Sequence, residues 1–410
     1  MPVSDTAEAP RLRLLYLSWR DRENPEAGGA ETFTERTAEV LTELGHEVTI
    51  VTSRFPGSAA VDRHGPVRVL RRGGRFTCYL RGMLYAAQHR DDFDLILDVQ
   101  NGVPFWSPLV TGTPVINIVH HTHRDQWSVI FPQRVARIGW FLESRVAPWV
   151  YRRSRYVTVS QASRRDLVGL GVDADRIDLV YSGNDHPADL RQYADVPRTP
   201  APSITVLGRL VPHKQVEIAI DILADLTVDQ PELRLNVVGE GYWRDALVDH
   251  AHQRGVADRV DFHGFVTEER KHQLLAQSWL VLMPSHKEGW GLTIVEAGLH
   301  ATPALAFEHA GGPTESIMHG LTGLLATDAD ELTNQVRVLL TNHDLRHRLG
   351  VTAREHALSF DWRSSGAQLE RSIRSVLGQV ERPDSPPIVA PRLRSLDEIV
   401  AEHESATPTP

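Results

Sequence analysis

The sequence predicts an α/β protein with two doubly wound domains, each built on a parallel sheet with helices on both faces. Short apolar, β-branched runs alternate with amphipathic helical stretches, and this alternation restarts after a polar linker. Buried parallel strands joined by crossover helices produce such a pattern. A chain of 410 residues is also too long for one hydrophobic core, so a division into two domains is expected.

The elements of both domains can be predicted from their apolar patterns. The first domain has strands at 12–17, 47–51, 93–98, 115–119 and 156–159, and helices near 31–44 and 133–153. Positions 187–202 are rich in Pro, Asp and Arg and have little apolar periodicity, which indicates a linker. Strands follow at 204–207, 233–238, 260–262, 279–283 and 304–307. Ligands bind at the carboxyl ends of such strands, so we expect the site in the cleft between the domains.

Composition excludes several classes of protein. A net charge of −9 argues against a general nucleic-acid binder, and the single cysteine excludes an internal disulfide framework or a Cys-rich metal site. Each half lacks a Gly-x-Gly-x-x-Gly fingerprint after its first strand, which disfavours a nicotinamide dehydrogenase. We find no apolar run long enough to span a bilayer and no basic segment before 12–17, and therefore expect a cytoplasmic protein.

The segment from Glu288 to Glu296 is the most informative part of the chain. It follows the strand at 279–283 and contains Gly289 and Gly291 ahead of an apolar-periodic helix. Glycines let the backbone approach a ligand closely, and the free N–H groups near Leu292 and Thr293 can bind an anion. The two carboxylates can accept hydrogen bonds from hydroxyls on either side of a phosphate. This layout suits a nucleotide sugar, although an ordinary strand-loop-helix connection has the same pattern.

A second basic motif follows the strand at 204–207. Gly208 and Arg209 precede Lys214, which stands where the helix at 216–226 begins. The chain contains only three lysines, at 214, 271 and 287. Because lysine is so rare in this chain, a lysine five residues after Arg209 indicates a phosphate site. An ammonium suits one phosphate oxygen, and a guanidinium can hold two. Two exposed basic residues at a turn would be the structural alternative.

These motifs, in order, resemble the C-terminal half of retaining glycosyltransferases of family 4, which have the GT-B fold. Further matching segments are Gly239-Glu240-Gly241, 263–266, and Gly311-Gly312-Pro313 with Glu315. The N-terminal half is similar at 25–31, 44–48 and 157–160, whereas 181–185 departs from the usual Asn-Gly-Val-Asp. The resemblance implies four catalytic residues, twelve donor-binding residues and two candidates on the acceptor side. The catalytic residues are His120, Glu288, Arg209 and Lys214; the donor-binding residues are Gly28, Gly29, Arg209, Lys214, Gly239, Glu240, Val266, Glu288, Gly291, Leu292, Thr293 and Glu296; the acceptor-side residues are His121 and His123.

The resemblance also implies a domain plan. An acceptor-side domain covers 1–186, the linker 187–202, and a nucleotide-sugar-binding domain 203–360. A crossover helix at 361–378 is expected to pack back on the N-terminal domain. Residues 379–410 contain many prolines and little core-forming character, so we expect a disordered tail with at most a short helix at 395–402.

The expected function is transfer of a hexose-type sugar, with retention, from a UDP- or GDP-linked donor to a hydroxyl acceptor such as a glycolipid, glycan or secondary metabolite. No cofactor is expected, because the donor is itself a substrate. A nucleotide-sugar 2-epimerase of the same fold and a non-catalytic nucleotide-binding protein are the alternatives. The first would act on the donor alone; the second is disfavoured by the complete set of Arg209, Lys214, Glu288 and Glu296.

No metal is expected. Three Asp-x-Asp pairs, at 92/94, 173/175 and 328/330, lie in turn-like polar stretches, and Arg209 with Lys214 can neutralise a diphosphate without an ion. His120, His121 and His123 lie on an extended segment and point to opposite faces, which disfavours a zinc site.

The helix at 133–153 carries arginines interleaved with aromatic residues. Such a basic amphipathic helix could rest on an anionic inner membrane surface and receive a lipid-linked acceptor. Its apolar stripe could equally pack inside the N-terminal domain. The residues concerned are Arg134, Arg137, Trp140, Phe141, Arg145, Trp149, Tyr151, Arg152, Arg153 and Arg155.

Overall fold

The protein has two parallel-sheet α/β domains, which confirms the predicted fold class. The structure is a computed structural model that describes residues 10–187, 190–193, 196–381 and 396–405. The first sheet has eight strands in the order β3-β4-β2-β1-β5-β6-β7-β8, parallel except for β3, which pairs antiparallel with β4. The strands are β1 (Arg13–Leu17), β2 (Glu47–Thr52), β3 (Val61–His64), β4 (Val67–Arg71), β5 (Leu95–Gln100), β6 (Val115–Val119), β7 (Arg155–Thr158) and β8 (Ile177–Leu179).

The described part of the first domain contains the helices α1 to α6. The predicted helix at 133–153 is interrupted, because a π-helical segment over Leu142–Val146 separates two α-helical pieces. An inserted residue of this kind is common at functional sites. The helices are α1 (Gly29–Glu43), α2 (Thr77–Gln88), α3 (Arg124–Ile130), α4 (Gln133–Phe141), α5 (Ala147–Val150) and α6 (Gln161–Gly169).

The second sheet has six parallel strands in the order β11-β10-β9-β12-β13-β14. Its apolar side chains pack into a continuous buried core with the surrounding helices. The strands are β9 (Ser203–Leu207), β10 (Arg234–Val238), β11 (Val260–Gly264), β12 (Leu280–Met283), β13 (Ala304–Phe307) and β14 (Gly323–Ala326). The helices are α7 (Val216–Leu226), α8 (Arg244–Gln253), α9 (Glu268–Gln277), α10 (Leu292–Leu299), α11 (Pro313–Ser316), α12 (Ala329–Thr341) and α13 (His343–Ala357).

The chain returns to the N-terminal domain through α14 (Trp362–Val376). Asp361 caps this helix by accepting a hydrogen bond from the Ser364 amide, and Leu369 and Ile373 are buried against the first domain. A side chain at Gly366 would collide with Val40 of α1, so the two helices approach closely there. α14 therefore packs on the N-terminal domain through its contact with α1.

The C-terminal segment differs in part from the expected disordered tail. A helix, α15, covers Leu396–Ser405, and Leu396 and Ile399 are buried in the core of the second domain. Apolar residues spaced three apart therefore supply a packing face that the proline-rich composition concealed. Residues 382–395 and 406–410 lie outside the described part of the chain.

Within the described residues, none of the helices combines the length and the apolar character needed to cross a bilayer.

Candidate active site at the domain interface

The loop between β12 and α10 carries the first predicted motif into the interface between the domains. Gly291 precedes α10 with φ +100°, a left-handed conformation that favours glycine. A side chain at Gly289 would lie 2.8 Å from the His120 carbonyl oxygen, so this backbone lies directly against the N-terminal domain. Trp290 is buried beside Tyr181 and Phe360, with ring centroids 4.9 and 5.1 Å away.

Lys214 and Glu288 form an ion pair at the centre of this region. The Lys214 Nζ to Glu288 Oε1 distance is 2.5 Å, and both side chains are largely buried. Burial raises the pKa of Glu288, but the Lys214 ammonium and the Ser285 hydroxyl more than offset this effect, so the pKa lies below its ordinary value. The carboxylate is therefore charged and ready to accept further hydrogen bonds.

Arg209 connects this cluster to the N-terminal domain. Its Nη1 donates to the Glu26 carbonyl oxygen at 3.2 Å, and its side chain covers Gly28. Glu31, on the first turn of α1, accepts a hydrogen bond from the Gly28 amide at 2.8 Å and pairs with Arg20 at 3.1 Å. Burial raises the pKa of Glu31, but the two guanidinium groups bring it below its ordinary value.

Two helix N-termini face each other across the interface. A side chain at Gly29, where α1 begins, would lie 3.2 Å from Leu292 Cδ1, where α10 begins. The Thr293 hydroxyl donates to the Leu207 carbonyl oxygen at 3.3 Å, which holds the start of α10 beside the Gly208-Arg209 segment. Helix N-termini carry partial positive charge, so an anion placed here would be stabilised from both domains.

His120 follows β6 and reaches the same region. It is buried, its ring packs edge-on against Phe33 at 5.1 Å, and its Nε2 has no hydrogen-bond partner among the described residues. Burial lowers the pKa of His120 to about 4, so the imidazole is neutral near pH 7. An unpartnered buried nitrogen carries an energetic cost, which a ligand hydroxyl would relieve.

The two acceptor-side candidates already have protein partners. His121 interacts with Gln126 at 3.2–3.4 Å. His123 Nδ1 lies 3.0 Å from Glu143 in the π-helical segment, and its Nε2 lies 3.0 Å from Asn101. His123 thus contributes to a local polar network that holds the start of α3 against the π-helical segment. One face of His121 lies against the His123 ring.

Glu296 lies on the second turn of α10 and pairs with Lys271 of α9. The Lys271 Nζ is 2.7 Å from Glu296 Oε1 and 2.6 Å from Glu268 Oε2. Although burial lowers the pKa of Lys271, the two carboxylates raise it well above its ordinary value. An ionised carboxylate can accept several hydrogen bonds, so Glu296 can bind a further donor while it pairs with Lys271.

The other predicted donor residues lie at the carboxyl edge of the second sheet. Gly239 and Glu240 follow β10, and the Leu210 amide donates to the Glu240 carbonyl oxygen at 2.9 Å. A side chain at Gly239 would collide with the Gly208 carbonyl, so the two loops touch. Val266 follows the neighbouring strand β11 and is half-buried. Exposed Tyr242 and Phe265 follow the same two strands, and neither was predicted as a site residue.

Two interdomain contacts were not predicted from the sequence. The Glu315 carboxylate accepts hydrogen bonds from the Gln161 and Ala162 amides at 2.9 and 3.0 Å, and Lys287 pairs with Asp166 at 2.7 Å. Both contacts join the C-terminal domain to α6. The rarity of lysine in the sequence could have singled out Lys287 as a functional residue. No sequence pattern near Glu315 identifies its partners, because the Gln161 and Ala162 amides are more than 150 residues away.

Acidic residues elsewhere have structural partners. Asp328 and Asp173 accept amide hydrogen bonds at the starts of helices, and Asp94 binds Arg13. One group with suitable spacing for a cation, Asp21, Glu23 and His64, surrounds the buried Arg71 guanidinium, which pairs with both carboxylates at 2.7 Å. An arginine in that position does not fit a metal site.

Related sequences cover most of the chain. A D-inositol 3-phosphate glycosyltransferase of Gordonia bronchialis is 28% identical over 82% of this chain and 81% of its own length. A GDP-mannose-dependent alpha-(1-6)-phosphatidylinositol monomannoside mannosyltransferase of Mycolicibacterium smegmatis is 27% identical over 84% and 94%. A Nocardia farcinica D-inositol 3-phosphate glycosyltransferase is 32% identical, but that alignment spans only 53% of the relative.

Solved structures share the fold. A sucrose-phosphate synthase from Thermosynechococcus elongatus superimposes with a TM-score of 0.75 at 20% identity, covering 90% of this chain and all of that one. Anabaena Alr3699/HepE in complex with UDP and glucose gives 0.68 at 21% identity, over 89% and 100%.

Two family models match the chain in sequence order. The model described as Glycosyltransferase Family 4 matches residues 27–186, and the model described as Glycosyl transferases group 1 matches residues 175–356. Both include the clusters that meet at the domain interface. The chain therefore belongs to glycosyltransferase family 4.

Proposed function

We propose that the protein moves a hexose-type sugar from a UDP- or GDP-linked donor to a hydroxyl acceptor, with retention of anomeric configuration. The observation that carries the proposal is the Lys214–Glu288 pair at the domain interface, where the starts of α1 and α10 meet and the His120 carbonyl lies against Gly289. The relatives support glycosyl transfer from a nucleotide sugar, and the names of two of them include GDP-mannose or UDP.

Each group has a distinct task in the proposed donor complex. Arg209 and Lys214 bind diphosphate oxygens together with the amides at Leu292 and Thr293, while Glu288 binds sugar hydroxyls and Glu296 the ribose. An ammonium has three donors, so Lys214 can keep Glu288 and still bind a phosphate oxygen. The pair therefore places the sugar site directly beside the leaving group.

Charge development explains how these groups accelerate the reaction. The bond between the anomeric carbon and the diphosphate oxygen breaks, the acceptor oxygen bonds to that carbon from the same face, and its proton passes to the departing phosphate. Negative charge accumulates on the diphosphate, where preorganised cations and helix N-termini are most effective. Glu288 binds hydroxyls rather than attacking the carbon, because Lys214 already holds its carboxylate.

His120 serves as a neutral hydrogen-bonding group near the anomeric centre. Burial keeps it uncharged, so it does not repel an oxocarbenium-like transition state. Its Nε2 is the atom available to a sugar hydroxyl. We propose a donor site that works without metal, because Arg209 and Lys214 supply two positive charges for the diphosphate.

The acceptor is proposed to be lipid-linked and presented at an anionic membrane surface on the cytoplasmic side. We define the α4 patch as the exposed arginine and apolar side chains of the helical stretch α4–α5 and the turn after it. Glu143 is the single carboxylate of 133–155, and it is buried. Two residues predicted for this surface do not belong to the patch, because Arg155 pairs with Asp178 and Tyr151 lies in the core. The patch thus combines apolar and cationic groups without an exposed acid. Its members are Arg134, Val135, Arg137, Ile138, Phe141, Arg145, Trp149, Arg152 and Arg153.

The alternative of a nucleotide-sugar 2-epimerase finds no support in the relatives named above, whose names describe glycosyl transfer or synthase activity. Incubation with donor alone separates the two functions, since an epimerase converts it and a transferase needs an acceptor.

A thermal-shift screen with UDP, GDP and their sugars tests the proposal. A ligand at about 100 times its dissociation constant stabilises a folded protein by roughly 2.7 kcal/mol. We expect one nucleotide series to raise the melting temperature and the other not to. The absence of a shift with either series would contradict a nucleotide-sugar site.

A further inference from the structure

The first turn of α6 is occupied by a carboxylate from the other domain. Glu315 Oε2 accepts from the Gln161 amide at 2.9 Å and Oε1 from the Ala162 amide at 3.0 Å. The Tyr181 hydroxyl donates to the same carboxylate at 3.1 Å. Amides at a helix start carry partial positive charge, so three donors and a favourable dipole hold this carboxylate.

Glu315 is connected to Glu288 through the backbone. Glu288 and Gly311 form a β-bridge, in which the Glu288 amide donates to the Ala310 carbonyl at 2.8 Å and the Gly312 amide to the Glu288 carbonyl at 3.1 Å. α11, which contains Glu315, begins at Pro313. The backbone at Glu288 is therefore hydrogen-bonded to the segment that leads into α11, and Glu315 of α11 binds the N-terminal domain.

The arrangement spans the interface where the reacting groups meet. A side chain at Gly311 would lie 3.4 Å from Ala162 Cβ, and Gly289 lies against the His120 carbonyl oxygen. The Ser163 hydroxyl, on the same turn of α6, donates to that carbonyl at 2.6 Å. The first turn of α6 thus holds His120 through Ser163 and Glu288 through Glu315.

We infer that Glu315 is a positioning residue, which sets the separation between Glu288 and His120 by binding the N-terminus of α6. The inference rests on the proposed function for its catalytic consequence. Glu315 belongs to the interface and holds no part of the donor. Its loss should therefore lower turnover while leaving the affinity for a free nucleoside diphosphate unchanged.

Two variants test the inference, with one control. Glu315→Gln keeps the size of the side chain but removes its charge and turns one acceptor into a donor that faces an amide. Tyr181→Phe removes a single hydroxyl donor. Glu232→Gln, an exposed glutamate of the same domain, is the matched control. kcat, KM and calorimetric binding of UDP and GDP are measured for each, together with hydrogen exchange of the Gln161 and Ala162 amides.

We expect Glu315→Gln to speed exchange of both amides and to lower kcat roughly 10- to 100-fold, because displacement of a reacting group by about 1 Å has costs of this size. Tyr181→Phe should shift kcat in the same direction by less, and the double variant should lose less than the product of the two effects. Affinity for the free nucleotide should match that of Glu232→Gln. Equal kcat in Glu315→Gln and the control would overturn the inference, as would an equal loss of nucleotide affinity and kcat.

Exchange separates this inference from the proposed function. If the wild-type protein transfers no sugar but its Gln161 and Ala162 amides lose protection in Glu315→Gln, the proposed function fails and the interdomain contact stands. If the amides keep their protection, Glu315 does not hold α6 and the inference is wrong whatever the activity.

Discussion

The Lys214 Nζ lies 2.5 Å from Glu288 Oε1, which joins two motifs that are far apart in the sequence into one cluster. The other two lysines also form ion pairs: Lys271 pairs with Glu296, and Lys287 pairs with Asp166. A chain with only three lysines therefore places all of them in ion pairs in or beside the interface between its domains. Two of these pairs hold the glutamates that bracket the glycine-rich loop.

Removing either predicted phosphate ligand should abolish most transfer while leaving the fold intact. We expect Lys214→Ala and Arg209→Ala to lower kcat by about 100-fold or more, because each removes a charge that acts when the diphosphate leaves. Lys214→Arg should not restore activity, since a guanidinium cannot replace a compact ammonium beside Glu288. Arg234→Ala, at an exposed ion pair with Asp261, is the control for steady-state kinetics. Wild-type turnover in either alanine variant would refute the phosphate assignment.

Sugar transfer should continue when a chelator removes divalent metal ions. Arg209 and Lys214 provide the positive charge that a divalent ion supplies elsewhere, so excess EDTA should leave the initial rate unchanged. The assay compares EDTA-treated enzyme with and without added Mg²⁺ or Mn²⁺. Loss of activity that one of these ions restores would show that an Asp-x-Asp pair or another acidic group was wrongly dismissed.

Parts of this arrangement could be predicted from local sequence, and others could not. Most strands of both sheets are short apolar runs, and the donor loop between Glu288 and Glu296 is contiguous, so periodicity and glycine placement identified these parts, whereas β3, β4, β8 and β14 were not predicted. The edge strand β3 was missed because it is mostly polar. A short helix at 395–402 was allowed, but its packing on the second domain was not predicted because it follows a proline-rich stretch. Interdomain partners such as Glu315 and α6 depend on tertiary packing, which no local pattern records.

Stability should fall as the pH is lowered, in a way that depends on His120. Burial lowers its pKa from 6.5 to about 4 in the folded protein, so the unfolded chain takes up the proton first. His120 thus contributes full stability above about pH 6.5, and this contribution is lost between about 6.5 and 4. Urea unfolding at several pH values should show a shallower pH dependence for His120→Gln than for wild type. The same dependence in both, with exposed His343→Gln as control, would mean that His120 is not buried as a neutral imidazole.

The α4 patch should bind anionic vesicles. We expect the protein to sediment with vesicles that contain phosphatidylglycerol and to remain in solution with purely zwitterionic ones, because the patch pairs apolar side chains with arginines. Replacing Ile138 and Phe141 by Ser should abolish sedimentation, whereas Val228→Ser, an exposed apolar residue of the other domain, should not. High salt should weaken binding. Equal binding to both kinds of vesicle, or none, would contradict the membrane proposal.

Titration of a nucleoside diphosphate into three proteins tests most directly whether the segment from Glu288 to Glu296 binds a nucleotide sugar. Wild type, Glu288→Gln and Glu296→Gln would be compared by calorimetry with UDP and with GDP, and their kcat and KM measured. Glu296 is assigned to the ribose, so Glu296→Gln should weaken free nucleotide and donor alike, mainly in KM. Glu288→Gln should bind the free nucleotide nearly as wild type does while kcat falls on the order of 100-fold, since Glu288 holds only the transferred sugar. Equal losses of nucleotide affinity in the two variants would contradict the division of the donor between these carboxylates.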